Sequence, residues 1–228
     1  MKESYDAATV QADFDRLAPF STEQWDHNSH YHRFLVRHLP AHCRTALEIG
    51  CGTGAFARLL AQRVEHVLAL DLSPEMIRLA KERSMAYPTI EFQMADILTS
   101  PFSPEQFDAI VSIATLHHLP MEKLLVRLKE ALAPGGVLIV LDLYQPRLLD
   151  LPLNLIAIPV NLLLKYVRTG YLKEPAAVRE AWAEHGQRDV YLTIPQVRAL
   201  CKATLPGAQV KRHLFWRYSL VWTKPGSL

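Results

Sequence analysis

The sequence predicts an α/β fold in which strands and helices alternate and most strands lie parallel in one sheet. Three observations lead to this prediction. Short apolar segments suited to buried strands recur along residues 45–142, with helix-forming sequence between them. A glycine-rich turn follows the first of these segments, and carboxylates stand at the ends of the second and third. The predicted strands are residues 45–49, 66–71, 90–97, 107–114, 137–142, 208–214 and 215–223.

The glycine-rich turn has the sequence LEIGCGTG over residues 47–54, and helix-forming sequence begins at Ala55. Glycines allow a sharp turn and let the backbone approach a ligand closely. The free N–H groups at the start of the following helix face the same turn. Taken alone, the pattern also suits a tight turn without a ligand. A dinucleotide site is a second alternative, because Gly50-x-Gly52-x-x-Ala55 approximates that fingerprint.

Acids at two strand ends narrow these alternatives. Asp71 ends the second strand, 21 residues after Gly50, where a carboxylate can accept both hydroxyls of a ribose. Ser73 and Pro74 then begin a helix as the N-cap and the first helical residue. Asp96 stands near the end of the third strand.

The later elements complete a recognisable order. The fourth strand is followed by LHHLP at residues 116–120, then by a predicted helix over residues 121–133 and a Pro-Gly-Gly turn into the fifth strand. Together, these elements resemble the class I S-adenosylmethionine (SAM)-dependent methyltransferases over roughly residues 41–143. The resemblance implies a Rossmann-like sheet of seven mostly parallel strands, with an antiparallel last strand and helices on both faces. A nicotinamide dehydrogenase would prefer another glycine register and gives no reason for Asp96.

The resemblance implies SAM as the cofactor and S-adenosylhomocysteine as its product. Asp71 would hold the ribose hydroxyls, Asp96 would meet the adenine amino group, and Glu48 would steady the turn and the methionine amino group. Met76 would flank the adenine, although core packing is the alternative for this residue. The predicted cofactor-binding residues are Trp25, Tyr31, Glu48, Gly50, Gly52, Gly54, Asp71, Leu72, Met76, Asp96, Ile97, Ile113 and Ala114.

His117 and His118 are the candidate catalytic residues. They follow the carboxyl end of the fourth strand, where open α/β sheets bind ligands. Imidazole is a suitable base near neutral pH, although a structural histidine that donates to the backbone is an equal alternative for each. Because SAM carries an already activated methyl group, the reaction requires no metal, and no metal site is predicted.

The segments around the core are less standard. Residues 1–40 are predicted to form a lid over the cofactor, with a plain capping helix as the alternative. Residues 144–192 are predicted to form a helical insert whose apolar part, residues 148–167, contains Pro152, Pro159 and Asn161 and is too short to span a membrane. It would cover the sheet edge, act as a substrate lid, or rest on a membrane or partner. A C-terminal helix and hairpin over residues 193–228 would complete a single domain of residues 1–228.

Composition limits the class of protein. A length of 228 residues suits one domain, and the net charge of +2 is too small to indicate nucleic acid as a partner. The three cysteines are scattered without metal-ligand spacing, and the first residues have no apolar signal core. These features predict a cytoplasmic protein with reduced thiols.

The predicted function is SAM-dependent transfer of a methyl group to O, N or C of a small-molecule acceptor. The apolar insert favours an apolar or aromatic acceptor. A quinone- or lipid-type methyltransferase and a SAM-binding protein without transferase activity are the alternatives. Homodimer formation is left open by the sequence.

Overall fold

The described part of the chain forms a seven-stranded sheet. Its strands are β1 (Thr45–Ile49), β2 (His66–Asp71), β3 (Ile90–Met94), β4 (Phe107–Ile113), β5 (Leu132–Leu143), β6 (Gln209–Arg212) and β7 (Arg217–Thr223). Their order is β3-β2-β1-β4-β5-β7-β6. β1 to β5 pair in parallel, whereas β7 runs antiparallel to both β5 and β6. The predicted mostly parallel sheet with an antiparallel last strand is confirmed.

The computed structural model describes residues 5–147, 150–170, 175–186 and 189–226, and for 151–154 and 156 it describes the backbone alone. The predicted lid, insert and C-terminal segment therefore include positions outside the described residues. These positions are 1–4, 148, 149, 171–174, 187, 188, 227 and 228.

Helices cover both faces of the sheet. They are α1 (Ala7–Leu17), α2 (His32–Val36), α3 (Ala55–Leu60), α4 (Pro74–Arg83), α5 (Met121–Ala131), α6 (Leu151–Thr169), α7 (Ala176–Gly186) and α8 (Ile194–Thr204). One buried apolar cluster joins Leu47 of β1 to α5 and α8. A second cluster joins Ala46 of β1 to α2, α3 and α4. Because adjacent residues of a strand point to opposite faces, the two clusters lie on opposite sides of the sheet.

Side-chain caps set the starts of two helices near the strand ends. Ser73 Oγ accepts a hydrogen bond from the backbone N–H of Met76 at 3.0 Å, and Pro74 is the first residue of α4. Thr193 and Gln196 form a capping box at the start of α8. The predicted N-cap role of Ser73 is thereby confirmed.

Two boundaries in the core differ from the prediction. The helix predicted over 121–133 ends at Ala131, because Leu132 already pairs with Phe107 of β4. The pairing of β4 with β5 then shifts in register between Phe107 and Ala109. β5 therefore begins before its apolar run at residues 137–142. β3 ends at Met94, before the predicted end at residue 97.

The final hairpin also differs from the prediction. β7 begins at Arg217, whereas the predicted strand began at residue 215. Phe215 and Trp216 have φ of 59° and 55°, a left-handed conformation that a strand does not accommodate. These two residues therefore form a turn before β7, even though aromatic residues usually favour strands.

The apolar insert after β5 contains α6, which continues through Pro159. Proline has no backbone N–H, so this helix lacks one of its internal hydrogen bonds. Gly170, with φ of 78°, follows the last turn of α6 in the left-handed conformation that commonly ends helices. Within the described residues, no helix is both long enough and apolar enough to cross a membrane.

Candidate functional site

The glycine turn at residues 50–54 lies between the carboxyl end of β1 and the start of α3. Gly50, Gly52 and Gly54 have φ of 71°, 51° and 78°, in the left-handed region that favours glycine. The backbone N–H groups of Gly50 and Cys51 both donate to the carbonyl of Leu70, at 2.8 and 2.9 Å. These two hydrogen bonds fix the turn on the neighbouring strand β2.

The space around the three glycines differs. A Cβ on Gly50 would lie 2.0 Å from Thr115 Oγ1, and a Cβ on Gly54 would lie 2.8 Å from Phe92 Cζ. A Cβ on Gly52 would meet no described atom within 4 Å. Packing therefore explains two of the glycines, whereas Gly52 faces open space from which a ligand can approach the backbone.

Gly50→Ala is expected to lower the free energy of unfolding by about 3 kcal/mol or more, because the new Cβ overlaps Thr115 in a left-handed residue. Gly52→Ala is the matched control. It also places a side chain on a residue in the left-handed conformation, at a cost of about 1–2 kcal/mol, but the new Cβ overlaps no described atom. Denaturant unfolding of both variants measures the difference. Equal losses of stability would contradict the proposed packing role of Gly50.

Asp71 ends β2 and connects the glycine turn to the start of α4. Its Oδ2 accepts a hydrogen bond from Gly52 N at 2.8 Å, and its Oδ1 accepts one from Ser73 N at 2.9 Å. Burial raises the pKa of this carboxyl group, and its hydrogen bonds from the backbone oppose that rise. The residue thus stabilises the turn itself, a role that the sequence did not reveal beside the predicted contact with ribose.

Glu48 is buried in β1, directly before the turn, with 2% of its surface exposed. Its Oε2 atom has no hydrogen-bond partner within the described part of the chain. Burial, followed by the charge of Asp71, raises the pKa of this carboxyl group well above its usual value. A buried carboxylate oxygen without a partner is costly to the fold and suits a cationic ligand group.

The N-terminal segment contacts both acid-bearing strand ends. Asp15 of α1 accepts a hydrogen bond from Ser73 Oγ at 2.5 Å, beside Asp71. Burial raises the pKa of Tyr5, and the charge of Asp96 and a hydrogen bond to its carboxylate add to that rise. Tyr5 therefore lies against the acid that was predicted to meet adenine. These contacts place the start of the predicted lid beside β2 and β3.

A charged contact joins the next part of the lid to the glycine turn. Glu23 lies 2.5 Å from Arg58 of α3 and 3.6 Å from Arg83 of α4. Arg58 also donates to the carbonyl of Thr53, inside the turn, at 3.2 Å. The segment is thus held over the start of α3, although its ordering by a cofactor stays a prediction.

Trp25 and Tyr31 lie in an aromatic group around Phe215. Trp25 meets Phe215 edge-to-face, with ring centroids 6.4 Å apart. Tyr31 is 9% exposed, and its hydroxyl donates to the carbonyl of Leu214 at 3.1 Å. The hydroxyl of Tyr31 is therefore engaged with the turn before β7, while the cofactor roles of both residues stay predictions.

The remaining predicted cofactor residues follow the strand ends. Leu72 comes directly after β2, while Ile97 follows β3 and is buried. Ile113 ends β4, and Ala114 after it has φ of 50° and donates its backbone N–H to the carbonyl of Leu141. Met76 packs against Leu17 and Ala18 of the lid in a small buried cluster.

His117 and His118 lie in a short 3₁₀ turn beyond β4, and their side chains are 6% and 7% exposed. His117 Nδ1 lies 2.6 Å from Asp142 Oδ1, at the end of the adjacent strand β5. This hydrogen bond orients the imidazole ring and fixes Nδ1 as its donor, so that Nε2 carries the lone pair. Such a pair can accept a proton through Nε2.

His118 belongs to a second hydrogen-bonded group. Its Nδ1 lies 3.2 Å from Asp189 Oδ1, and the hydroxyl of Tyr191 donates to Asp189 Oδ2 at 2.6 Å. Burial opposes ionisation of Asp189, but the hydrogen bonds from His118 and Tyr191 outweigh it and hold the pKa of Asp189 at about 2. Burial lowers the pKa of His118, and Asp189 opposes that change.

The sequence did not reveal several members of this polar group. His185 of α7 lies 3.6 Å from Asp13 of α1 and 3.9 Å from Asp189, so the lid and the insert meet here. No spacing along the chain connects these residues to His117. For Asp142 a signal was available, because the carboxyl ends of the neighbouring parallel strands β4 and β5 lie side by side.

Of the residues described, one group has the composition of a metal site. His117, His118 and Asp189 offer ligand atoms that lie within 4.8 Å of one another. Two imidazoles and a carboxylate suit a transition-metal ion. Both carboxylate oxygens of Asp189 already have protein partners, whereas the buried Nε2 of His118 has none within the described residues.

Comparisons with known proteins agree with this geometry. Residues 47–140 match the family model described as "Methyltransferase domain". An "Uncharacterized methyltransferase" of Mycobacterium tuberculosis (strain H37Rv) is 31% identical over 207 residues, covering 89% of this chain and 98% of the relative. A "2-phytyl-1,4-naphtoquinone methyltransferase" of Thermosynechococcus vestitus is 33% identical over 153 residues, covering 60% of this chain and 66% of the relative.

A solved structure has a similar fold. The N-methyltransferase NodS from Bradyrhizobium japonicum WM9, in complex with S-adenosylhomocysteine, has a TM-score of 0.64 at 20% identity. The match covers 95% of this chain and 98% of NodS. The sheet order, the glycine turn and the acids at the strand ends define a Rossmann-like methyltransferase. This chain belongs to the class I SAM-dependent methyltransferases.

Proposed function

We propose that this protein binds SAM at the glycine turn and transfers its methyl group to a small-molecule acceptor. The observations that carry this proposal are the carboxyl oxygen of Glu48, near Asp71, which has no partner among the described residues, and the open side of Gly52 in the turn that follows. A buried carboxyl group that can ionise against a cation, together with accessible backbone, fits the cationic and polar methionine part of SAM. Asp71 and Asp96 would then hold the ribose and the adenine.

When SAM is bound, it supplies a sulfonium-activated methyl group, and the chemistry of that group belongs to the cofactor. The chain has to hold an acceptor in line, exclude water and, where necessary, take a proton. His117 is our candidate for the proton acceptor, because Asp142 orients its ring through Nδ1 at 2.6 Å, while Nε2 has no hydrogen bond within the described residues and lies 3.8 Å from Asp189 Oδ2. His118, the other sequence candidate, lies beside it and is held by Asp189.

We further propose an apolar, aromatic acceptor of the reduced quinone type. The apolar insert and the name of the Thermosynechococcus relative support this acceptor class. The second candidate function, SAM binding without transfer, would leave the cofactor site intact and show no turnover. We place the enzyme in the cytoplasm, supported by the free cysteines Cys43, Cys51 and Cys201. No nucleic acid is proposed as a partner.

Calorimetric titration with SAM, S-adenosylhomocysteine and NAD tests the cofactor. The wild-type protein is expected to bind the first two compounds and not NAD. Asp71→Ala should weaken SAM binding by about 1.5–3 kcal/mol, the range for hydrogen bonds to a charged group. Tight binding of NAD without binding of SAM would overturn the proposal.

A matched control separates binding from stability. Asp108 accepts backbone hydrogen bonds from Arg44 and Thr45 at 2.8 and 3.0 Å, at the start of β1 and thus at the opposite sheet edge. Asp108→Ala removes hydrogen bonds of the same kind as Asp71→Ala, so it should reduce stability while leaving the affinity for SAM unchanged. Equal affinities in the two folded variants would refute the role of Asp71 at ribose.

A further inference from the structure

α6 has apolar side chains on two opposite faces. On the inner face, Ala157 is buried, and Val160 and Leu164 pack against the apolar cluster that contains α2 and α3. On the same side, Asn161 forms a hydrogen bond with His27 of the lid at 2.6 Å. The described residues of the inner face therefore make their contacts within the chain.

The outer face of α6 is apolar and exposed. Leu155, Ile158, Leu162 and Tyr166 recur at helical spacing and form one stripe, and Leu163 and Val167 widen it. The exposed fractions are 66% for Leu155, 47% for Ile158, 45% for Leu162, 63% for Leu163, 57% for Tyr166 and 68% for Val167. From residue 155 to residue 167 the stripe is about 18 Å long.

Such a continuous stripe differs from the other exposed apolar residues. Met85 and Val126, for example, are isolated in sequence from other exposed apolar residues, and single residues of this kind are normal. Contiguous apolar surface marks an interaction site. One small acceptor molecule cannot cover a stripe about 18 Å long, so the occupant has to be an extended surface.

The charges of α6 favour one kind of surface. Between Leu151 and Thr169 the sequence contains Lys165 and Arg168 and no acid. At 100° per residue Lys165 lies between Ile158 of the outer stripe and Asn161 of the inner face, whereas the exposed Arg168 lies on the side of the inner face, near the end of the helix. A long cationic side chain beside the stripe reaches the headgroups of a bilayer while the apolar stripe enters the acyl boundary.

We propose that the outer face of α6 docks the protein on the surface of an anionic lipid bilayer. The helix lies along the surface and does not cross it. Because the opposite face of α6 holds the lid through Asn161 and His27, docking brings the lid close to the bilayer. An apolar acceptor dissolved in that bilayer would then be available beside the methyl-transfer site. The docking itself does not depend on the identity of the acceptor.

Vesicle flotation of the full chain tests the proposal. The wild-type protein is expected to float with vesicles of phosphatidylcholine and phosphatidylglycerol, and about tenfold less with phosphatidylcholine alone, as cationic residues near anionic lipid imply. Added salt should weaken binding to the anionic vesicles. The double variant L163E/Y166E should lose tenfold or more of the wild-type binding, because it removes two apolar side chains from the stripe.

The control variant is M85E, which places one glutamate, half the added charge of L163E/Y166E, at an apolar residue that is 84% exposed and lies outside α6. It should float like the wild type. SAM titration and thermal unfolding show whether each variant is folded. If a variant does not fold, vesicle binding by the wild-type protein alone decides the proposal. Absence of flotation with either vesicle, or equal flotation of L163E/Y166E and M85E, overturns the proposal. The proposal is also overturned if light scattering shows a wild-type dimer that the L163E/Y166E substitutions dissociate, and the wild type binds no vesicles.

Discussion

Glu48→Gln is expected to stabilise the protein and to weaken its binding of SAM. The Glu48 carboxyl group is buried, has an oxygen without a partner and lies near Asp71, so that its pKa is raised well above 4.5. Because burial and the charge of Asp71 disfavour the ionised carboxylate, this group costs the folded state stability at pH values above its unfolded pKa. The amide has no such cost, so the variant is expected to be the more stable protein at neutral pH.

The sign of the pH dependence follows from the raised pKa. The folded protein holds a proton on Glu48 that the unfolded chain releases above pH 4.5. The free energy of unfolding therefore falls as pH rises from that value through the folded pKa. The pKa of Asp71 is also raised, so Asp71 contributes a pH dependence of the same sign to the stability of both the wild type and Glu48→Gln. Denaturant unfolding between about pH 5 and about pH 8 should show that the free energy of unfolding of Glu48→Gln exceeds that of the wild type by an amount that grows with pH. Parallel stability curves would contradict this account.

The same substitution should weaken cofactor binding, because the carboxylate is the group proposed to face the methionine ammonium. Loss of one charged hydrogen bond corresponds to about 1.5–3 kcal/mol in the binding free energy. SAM and S-adenosylhomocysteine should lose similar amounts, since both carry that ammonium. Wild-type binding should release a proton as Glu48 ionises, which calorimetry in buffers of different ionisation enthalpy detects. Unchanged affinity in the variant would place the ammonium elsewhere.

The glycine turn and the acids at the strand ends, where we propose the cofactor binds, could be located from sequence because their signals are local. A glycine turn next to an apolar strand and an acid at the end of the next strand, such as Asp71, are patterns of a few residues. In a parallel sheet the carboxyl ends of neighbouring strands lie at the same edge, which brings these patterns together. What the sequence did not show is that Asp71 also binds Gly52 and Ser73, because backbone hydrogen bonds depend on the turn geometry.

The polar group around His118 was less predictable because its residues come from distant segments. Asp189 and His185 belong to the helical insert, and Asp13 belongs to the lid, so no spacing relates them to His118. The left-handed turn at Phe215 was hidden by the strand preference of aromatic residues. The insert itself allowed three interpretations from sequence, and the structure gives it two faces, one packed on the lid and one exposed.

His117→Gln is expected to lower kcat by about 10²–10⁴, the usual contribution of a positioned base. A reduced 1,4-naphthoquinone with a short prenyl chain is the probe acceptor, and release of S-adenosylhomocysteine measures turnover. The affinity for SAM should stay unchanged, because His117 contacts Asp142 and lies outside the glycine turn. Asp142→Asn should also lower kcat, since the amide no longer fixes Nδ1 of His117 as the donor.

His118→Gln is the neighbouring comparison, because its ring contacts Asp189 rather than Asp142. We expect the kcat of His118→Gln to fall by less than about tenfold, because this substitution leaves the hydrogen bond between His117 and Asp142 intact. A His117→Gln enzyme with the wild-type rate would make this pair a structural contact between β4 and β5, and would place the proton acceptor in solvent or in the substrate.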